Sequence, residues 1–136
     1  MSQQSVYFKH NQYTDILAFS YIGMWVILET TGLAYPEKIL TSLNKYGKGI
    51  EIIKVITVVD AERFNELTII TPVLVQTQIS EGNIVLINKI DLVEETDLLH
   101  VVSHVKHLNP KANIYGVIAN KKIENSIWEE VMRNYE

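Results

Sequence analysis

Residues 84–91, with the sequence IVLINKID, decide the fold class. Four consecutive apolar residues predict a strand that is buried on both faces, and the polar residues 88–91 follow it directly. Comparable apolar runs occupy 25–28 and 50–59, and a weaker strand is predicted at 113–118. Because these strands alternate with helical patterns, the sequence predicts an α/β fold, a parallel sheet of about four or five strands with helices on both faces.

The predicted helices cover residues 37–46, 61–67, 71–78, 94–108 and 124–134. Near the amino terminus the patterns are weaker, and they indicate a short strand at 5–8 and a helix at 13–21.

Composition narrows the class of protein. The chain has 136 residues, no cysteine and a formal net charge of −4, so it is one domain without disulfides, thiolate metal sites or a cysteine nucleophile. No basic block indicates nucleic-acid binding. The longest apolar runs fall well short of the ~20 residues of a membrane helix, and the first residues lack a secretory signal. We therefore expect a cytoplasmic protein with no nucleic-acid or membrane partner.

Polar side chains follow three of the four predicted strands. Glu29 ends the first, Asp60 ends the second, and Asn88, Lys89 and Asp91 follow the third. The carboxyl ends of parallel strands share one edge of a sheet, where ligands of such folds bind. The sequence therefore predicts a ligand site at this edge.

The tetrad 88–91 fits a guanine pocket. The carboxylate of Asp91 can accept hydrogen bonds from N1–H and the exocyclic amine of guanine, a pair of donors that adenine does not offer. The amide of Asn88 can serve the other edge of the base, and the alkyl chain of Lys89 can lie over its face.

Residues 29–32, ETTG, provide a second half of the predicted site. Glu29 is placed to hold water on Mg²⁺, and Gly32 lets the backbone approach a terminal phosphate. The alternative is an ordinary polar turn at the end of a strand.

The chain also resembles a known family over residues 25–118. Residues 29–36 (ETTGLAYP) are similar to the switch segment of the CobW-like cobalamin-synthesis GTPases, relatives of the nickel-insertion GTPases of urease and hydrogenase. The further similarities are 58–64 (VVDAERF), Gln78 with 84–93, and 108–114 (LNPKANI). The resemblance divides the chain into an unmatched segment, 1–24, and a partial GTPase domain, 25–136.

The resemblance implies a GTP-hydrolysing metallochaperone that binds GTP or GDP and delivers a metal ion to a client metalloprotein. By position, Asn88, Lys89 and Asp91 would hold guanine, while Glu29 and Gly32 would serve Mg²⁺ and the γ-phosphate.

Two features of the family are missing from the chain. No segment has the phosphate-loop pattern G-x-x-x-x-G-K-[ST], and the Cys-x-Cys-Cys metal motif is absent. We therefore expect a truncated or degenerate form that binds GTP or GDP weakly and does not hydrolyse GTP alone. Two alternatives remain: an α/β interaction module that has lost nucleotide binding, and a GTPase completed by a partner that supplies the phosphate loop.

The missing phosphate-loop strand has a structural consequence. In P-loop GTPases it lies beside the switch strand, so its loss leaves a gap between the strands at 25–28 and 52–59. The two strands can pair directly, residues 5–8 can insert between them, or a second copy can supply a strand. We expect some form of self-association.

Three histidines lie on one arc of the fourth predicted helix. His100, His104 and His107 are spaced i, i+4 and i+7, opposite the apolar face of the helix. This spacing predicts a solvated face, with metal chelation as the alternative. No metal site is assigned to them.

Overall fold

The structure is a computed structural model that describes residues 13–21, 24–48 and 50–133. Its strands and helices follow one another along the chain as β1 (Tyr13–Tyr21), β2 (Met24–Glu29), α1 (Pro36–Tyr46), β3 (Ile50–Asp60), α2 (Phe64–Ile70), α3 (Pro72–Glu81), β4 (Ile84–Asn88), α4 (Glu95–Leu108), β5 (Asn113–Val117) and α5 (Asn125–Met132). A single 3-10 turn, Ile90–Leu92, lies between β4 and α4.

The five strands form one sheet in the order β2-β1-β3-β4-β5. Strands β3, β4 and β5 are parallel neighbours, whereas β1 runs antiparallel to both β2 and β3. Strand β2 therefore points the same way as β3. The predicted α/β fold is confirmed, with the correction that only three neighbouring strands are parallel and that one of the five is reversed.

Strand β1 lies between β2 and β3, at the place where the sequence predicted a gap. The sequence pattern at 13–21 indicated a helix, and this prediction was wrong. At the middle of β1, the backbone of Leu17 pairs with Leu28 of β2 on one side and Val55 of β3 on the other. The physical reason is that β2 and β3 are both apolar and each needs a partner for its inner edge.

The three ways of closing the gap can now be separated. Direct pairing of β2 with β3 is wrong, because β1 lies between them. Residues 5–8 fall outside the described part of the chain. The reversed strand also completes this part of the sheet without a strand from a second copy.

Helices cover both faces of the sheet. On one face, helices α2, α3 and α4 pack on a core that includes Val59, Val85 and Ile87. Helix α1 packs on Val55, an odd-numbered β3 residue like Val59, and therefore lies on the same face. On the other face, α5 buries Ile127 and Val131 against strand residues such as Ile84. No helix in the described ranges is long and apolar enough to cross a membrane.

Candidate functional site

Asn88 lies at the last residue of β4 and joins the segments that follow three strands. It pairs with Asp60 of β3 and Val117 of β5 in the sheet. Its carbonyl oxygen accepts a hydrogen bond from the amide of Ala61 at 3.0 Å, and its Oδ1 accepts one from the amide of Ala119 at 2.8 Å. The side chain thereby holds the loop after β5 beside the tetrad 88–91.

Lys89 has a left-handed backbone conformation. Its φ of 63° is the only positive φ of a non-glycine residue in the described segments. Its Nζ lies 2.8 Å from Oδ2 of Asp60 and 3.6 Å from a carboxylate oxygen of Glu62. The hydrogen bond that Lys89 donates to the Asp60 carboxylate raises the pKa of Lys89, so its ammonium group stays charged at neutral pH.

Asp60 connects Lys89 to the turn after β3. Its Oδ1 accepts hydrogen bonds from the amides of Glu62 and Arg63, at 3.0 and 3.3 Å. Because Oδ2 faces Lys89, both oxygens of this nearly buried carboxylate are engaged.

Asp91 lies in the 3-10 turn after Lys89, and its side chain is exposed. The turn is closed by a 3.0 Å hydrogen bond from the amide of Leu92 to the carbonyl oxygen of Lys89. Within the described part of the chain, the Asp91 carboxylate makes no hydrogen bond or ion pair. It is therefore open to an incoming donor.

Glu29 lies farther from this group than the shared sheet edge implies. Ile16 of β1 pairs with Glu29 on one side and with Ile56 of β3 on the other. Glu29 is therefore two strands away from β3 and aligned with Ile56, which precedes Asp60 by four residues. Standard strand spacings put the Cα atoms of Glu29 and Asp60 about 16 Å apart. One group therefore consists of Asn88, Lys89 and Asp91. Glu29 lies apart from it, exposed at the end of the edge strand β2, and Gly32 lies in the loop that follows.

Gln78 of α3 holds that loop. Its Nε2 donates to the carbonyl oxygens of Gly32, at 3.2 Å, and Ala34, at 2.9 Å. Its backbone carbonyl accepts a hydrogen bond from the Thr57 hydroxyl at 2.7 Å. The buried Oε1 of Gln78 has no hydrogen-bond partner among the described residues.

Two residues of this arrangement were not among the predicted site residues. Asp60 was recognised only as a polar strand end, and its pairing with Lys89 depends on how β3 and β4 are aligned. Gln78 could have been found from spacing, because it shares the buried face of α3 with Leu74, Val75 and Ile79.

The described residues do not form a protein-held metal site. No group of three or more His, Asp or Glu side chains in these segments is arranged to bind a metal ion. Glu29 supplies one carboxylate, and a Mg²⁺ ion in nucleotide sites also needs substrate phosphates. The residues present therefore do not fit Mg²⁺ without a bound phosphate chain.

His104 packs within the fold instead of forming an open array with the other two histidines. Its ring meets buried Phe64 edge-on, with 5.2 Å between centroids, while His100 lies 6.1 Å from His104. His100 and His107 are exposed, whereas His104 is partly buried, so the predicted common exposure of the three was wrong for His104.

Comparison with known proteins supports a relationship to nucleotide-binding domains. The family model described as the CobW/HypB/UreG nucleotide-binding domain matches residues 11–116. No curated protein matches the chain significantly. The fold is similar to the crystal structure of Zn(II)-bound YjiA GTPase from E. coli, with a TM-score of 0.58 and 23% identity.

This structural likeness covers 71% of the chain and 30% of YjiA, and at this identity it concerns the fold alone. The family match extends over more than half of the chain and includes the tetrad 88–91. The chain therefore belongs to the CobW/HypB/UreG family of nucleotide-binding domains.

Proposed function

We propose that the chain binds guanine nucleotides at Asn88, Lys89 and Asp91 and does not hydrolyse GTP alone. The observation that carries this proposal is the open carboxylate of Asp91, which lies on a turn fixed by its neighbours. A carboxylate on such a turn, with no partner among the described residues, can accept two donors from one base without first giving up a protein contact.

The groups around Asp91 complement guanine. Its carboxylate accepts from N1–H and the 2-amino group, which adenine lacks. Oδ1 of Asn88 is engaged by Ala119, whereas its Nδ2 makes no hydrogen bond to the described residues and can donate to the O6 or N7 acceptors of guanine. Acceptance from N1–H and the 2-amino group, together with donation to O6, distinguishes guanine from adenine, whereas donation to N7 does not, because adenine carries the same acceptor.

The proposed lack of GTP hydrolysis rests on the absence of a phosphate-loop sequence and on the position of strand β1. A phosphate loop supplies backbone amides, a lysine and a hydroxyl to the phosphates and Mg²⁺, and no such pattern occurs in the sequence. Strand β1 lies between β2 and β3, where the family resemblance implies the phosphate-loop strand, and it runs antiparallel to β3. A phosphate loop from a partner therefore has no free place in this sheet, which disfavours a GTPase completed in that way.

The affinity expected from the base contacts alone is low. Hydrogen bonds to charged groups contribute about 1–3 kcal/mol each. Because association costs at least ~4 kcal/mol, a few such bonds support a dissociation constant of roughly high-micromolar to millimolar size.

On the basis of the family resemblance, we further propose that the chain takes part in metal delivery, with a client metalloprotein as its partner. The chain has no cysteine, so a thiolate ligand for the delivered metal would come from the client. Four further expectations stay predictions. They are the roles of Glu29 and Gly32 toward Mg²⁺ and γ-phosphate, the division of the chain at residue 24, self-association, and a cytoplasmic location.

A calorimetric titration with GDP and ADP tests guanine binding. We expect heat from GDP only, abolished in Asp91→Ala and retained in the control Asp97→Ala, an exposed aspartate in the first turn of α4. Equal heats from GDP and ADP, or retention of GDP binding in Asp91→Ala, would overturn the proposal.

One observation favours a second function, protein association without nucleotide. Leu33 and Tyr35, from the loop after β2, line an open groove of about 440 Å³ together with Ile70 and Val73. All four side chains are exposed. The absence of heat with either nucleotide would favour this function over guanine binding.

A further inference from the structure

The conformation of Lys89 calls for a compensating interaction. A side-chain-bearing residue in the left-handed region is less stable by about 1–2 kcal/mol than in the right-handed one. Such conformations persist where surrounding contacts hold them, and they cluster at functional sites. The ion pair with Asp60, at 2.8 Å between Lys89 Nζ and Asp60 Oδ2, is such a contact.

Asp60 is fixed more firmly than Lys89. The side chain of Asp60 is 8% exposed, and that of Lys89 is 32% exposed. Two backbone amides hold Oδ1 of Asp60, which leaves Oδ2 at a set position for the ammonium group. The Asp60 carboxylate therefore has a fixed position, and it fixes the position of the Lys89 ammonium group.

Both ends of the Lys89 side chain are thereby held. Its Cα is set by the left-handed turn and its Nζ by Asp60, so the four-carbon chain between them has little conformational freedom left to lose. In the sequence, Lys89 stands between Asn88 and Asp91, the residues proposed to bind the base. A preordered apolar surface strengthens stacking because its ordering cost is met before the ligand arrives.

We infer that Asp60 is a positioning residue for the guanine pocket, holding the alkyl chain of Lys89 beneath the base without touching the ligand itself. The inference rests on the proposed guanine binding and adds a residue that acts through Lys89.

The same geometry separates Lys89 from the phosphates. Its ammonium group faces two carboxylates, those of Asp60 and Glu62, within 3.6 Å. Since these carboxylates already neutralise it, Lys89 offers little attraction to a phosphate chain. The contribution of Asp60 and Lys89 to binding should therefore be independent of the number of phosphates.

The test measures the binding of GMP and of GTP by nuclear magnetic resonance titration. Four proteins are compared: wild type, Asp60→Asn, Lys89→Met and the double variant. Asparagine keeps an acceptor oxygen for the amides of Glu62 and Arg63 but cannot form the ion pair. We expect each single variant to lose about tenfold in affinity for GMP and for GTP alike. The double variant should lose no more than either single variant, because both changes remove the same interaction.

Asp97→Asn, the same chemical change at an exposed site, should bind both nucleotides within about twofold of wild type. A loss below twofold in Asp60→Asn, additive losses in the double variant, or a much larger loss for GTP than for GMP would overturn the inference. If Asp60→Asn does not fold, the same criteria apply to Lys89→Met: an equal loss of about tenfold for GMP and GTP supports the inference, and a loss below twofold overturns it. A wild type that prefers neither GMP nor AMP would instead reject the guanine proposal itself.

Discussion

Gln78 on α3 donates a hydrogen bond to the carbonyl oxygen of Gly32, 46 residues earlier in the chain, at 3.2 Å. A second bond from the same Nε2 to Ala34 fixes the loop after β2 at two points. This loop carries the segment that resembles a GTPase switch. Its position is therefore set by a buried amide of a neighbouring helix, and α3 in turn is joined to β3 through Thr57.

Replacement of Gln78 by methionine should release this loop. Met has a similar size but no donor, so the Gly32 and Ala34 carbonyls lose their partner, at a cost of about 1–2 kcal/mol. We expect faster amide hydrogen exchange in residues 30–35 and a lower melting temperature. Gln76→Met, on the exposed side of the same helix, serves as the control. Unchanged exchange in residues 30–35 would show that Gln78 does not hold the loop.

The sequence predicts the α/β core well because its strands are continuous apolar runs. Strands β2, β3 and β4 lie within one or two residues of their predicted ends. Strand β1 was missed because residues 13–21 mix polar and apolar residues without a clear period. Its conformation is decided by the unpaired edges of β2 and β3, a tertiary requirement that local propensity does not carry.

The candidate site was predictable only in part, for a similar reason. The group Asn88, Lys89 and Asp91 is contiguous in sequence and follows a buried strand, so its common location could be predicted. The ion pair of Asp60 with Lys89 joins residues from two strands and depends on their alignment. The distance of Glu29 from this group depends on β1, which lies between β2 and β3.

Lys54 provides a prediction about pH and stability. It is almost fully buried on β3, and its Nζ donates to the carbonyl oxygens of Glu130 and Arg133 at the end of α5, at 2.5 and 2.7 Å. Burial lowers the pKa of Lys54 below its usual value of 10.5, outweighing the opposite effect of the Glu130 carboxylate. The unfolded chain therefore binds this proton more readily than the folded one.

Lys54→Met should lower the free energy of unfolding by about 1–2 kcal/mol, because two helix-terminal carbonyls lose their donor. The advantage of wild type over the variant should grow as the pH rises towards 10.5, since the folded state no longer holds a buried charge. Denaturant unfolding between pH 7 and 10 measures both effects, with Lys122→Met as an exposed control. An advantage that shrinks with rising pH would contradict the assigned direction of the pKa shift.

Asn109 should be among the residues most sensitive to truncation. Its Nδ2 donates to the carbonyl oxygens of Ile79, Ser80 and Gly82, while its Oδ1 accepts from two amides of its own turn. Asn109→Ala leaves these groups without partners in a buried place, at a cost of about 3 kcal/mol. Thermal unfolding should show a melting temperature lower by about 10 °C, whereas the exposed Asn120→Ala should change little. A change of less than 2 °C in Asn109→Ala would refute this assignment.

Removal of Mg²⁺ should leave GDP binding unchanged. The proposed contacts involve only the base, and the described residues hold no set of ligands for the ion. We expect the same GDP affinity with Mg²⁺ and with EDTA, and no phosphate release from GTP above the buffer rate. A marked loss of affinity in EDTA, or turnover of GTP, would indicate a phosphate site that the proposal does not include.

The most direct test of the central claim locates the base on the chain. In a residue-resolved nuclear magnetic resonance titration, GMP should shift the amides of residues 88–92 and of 119–121, the loop joined to Asn88. AMP at the same concentration should leave both segments unchanged. Shifts confined to other segments, or equal shifts with AMP, would contradict a guanine pocket at Asn88, Lys89 and Asp91.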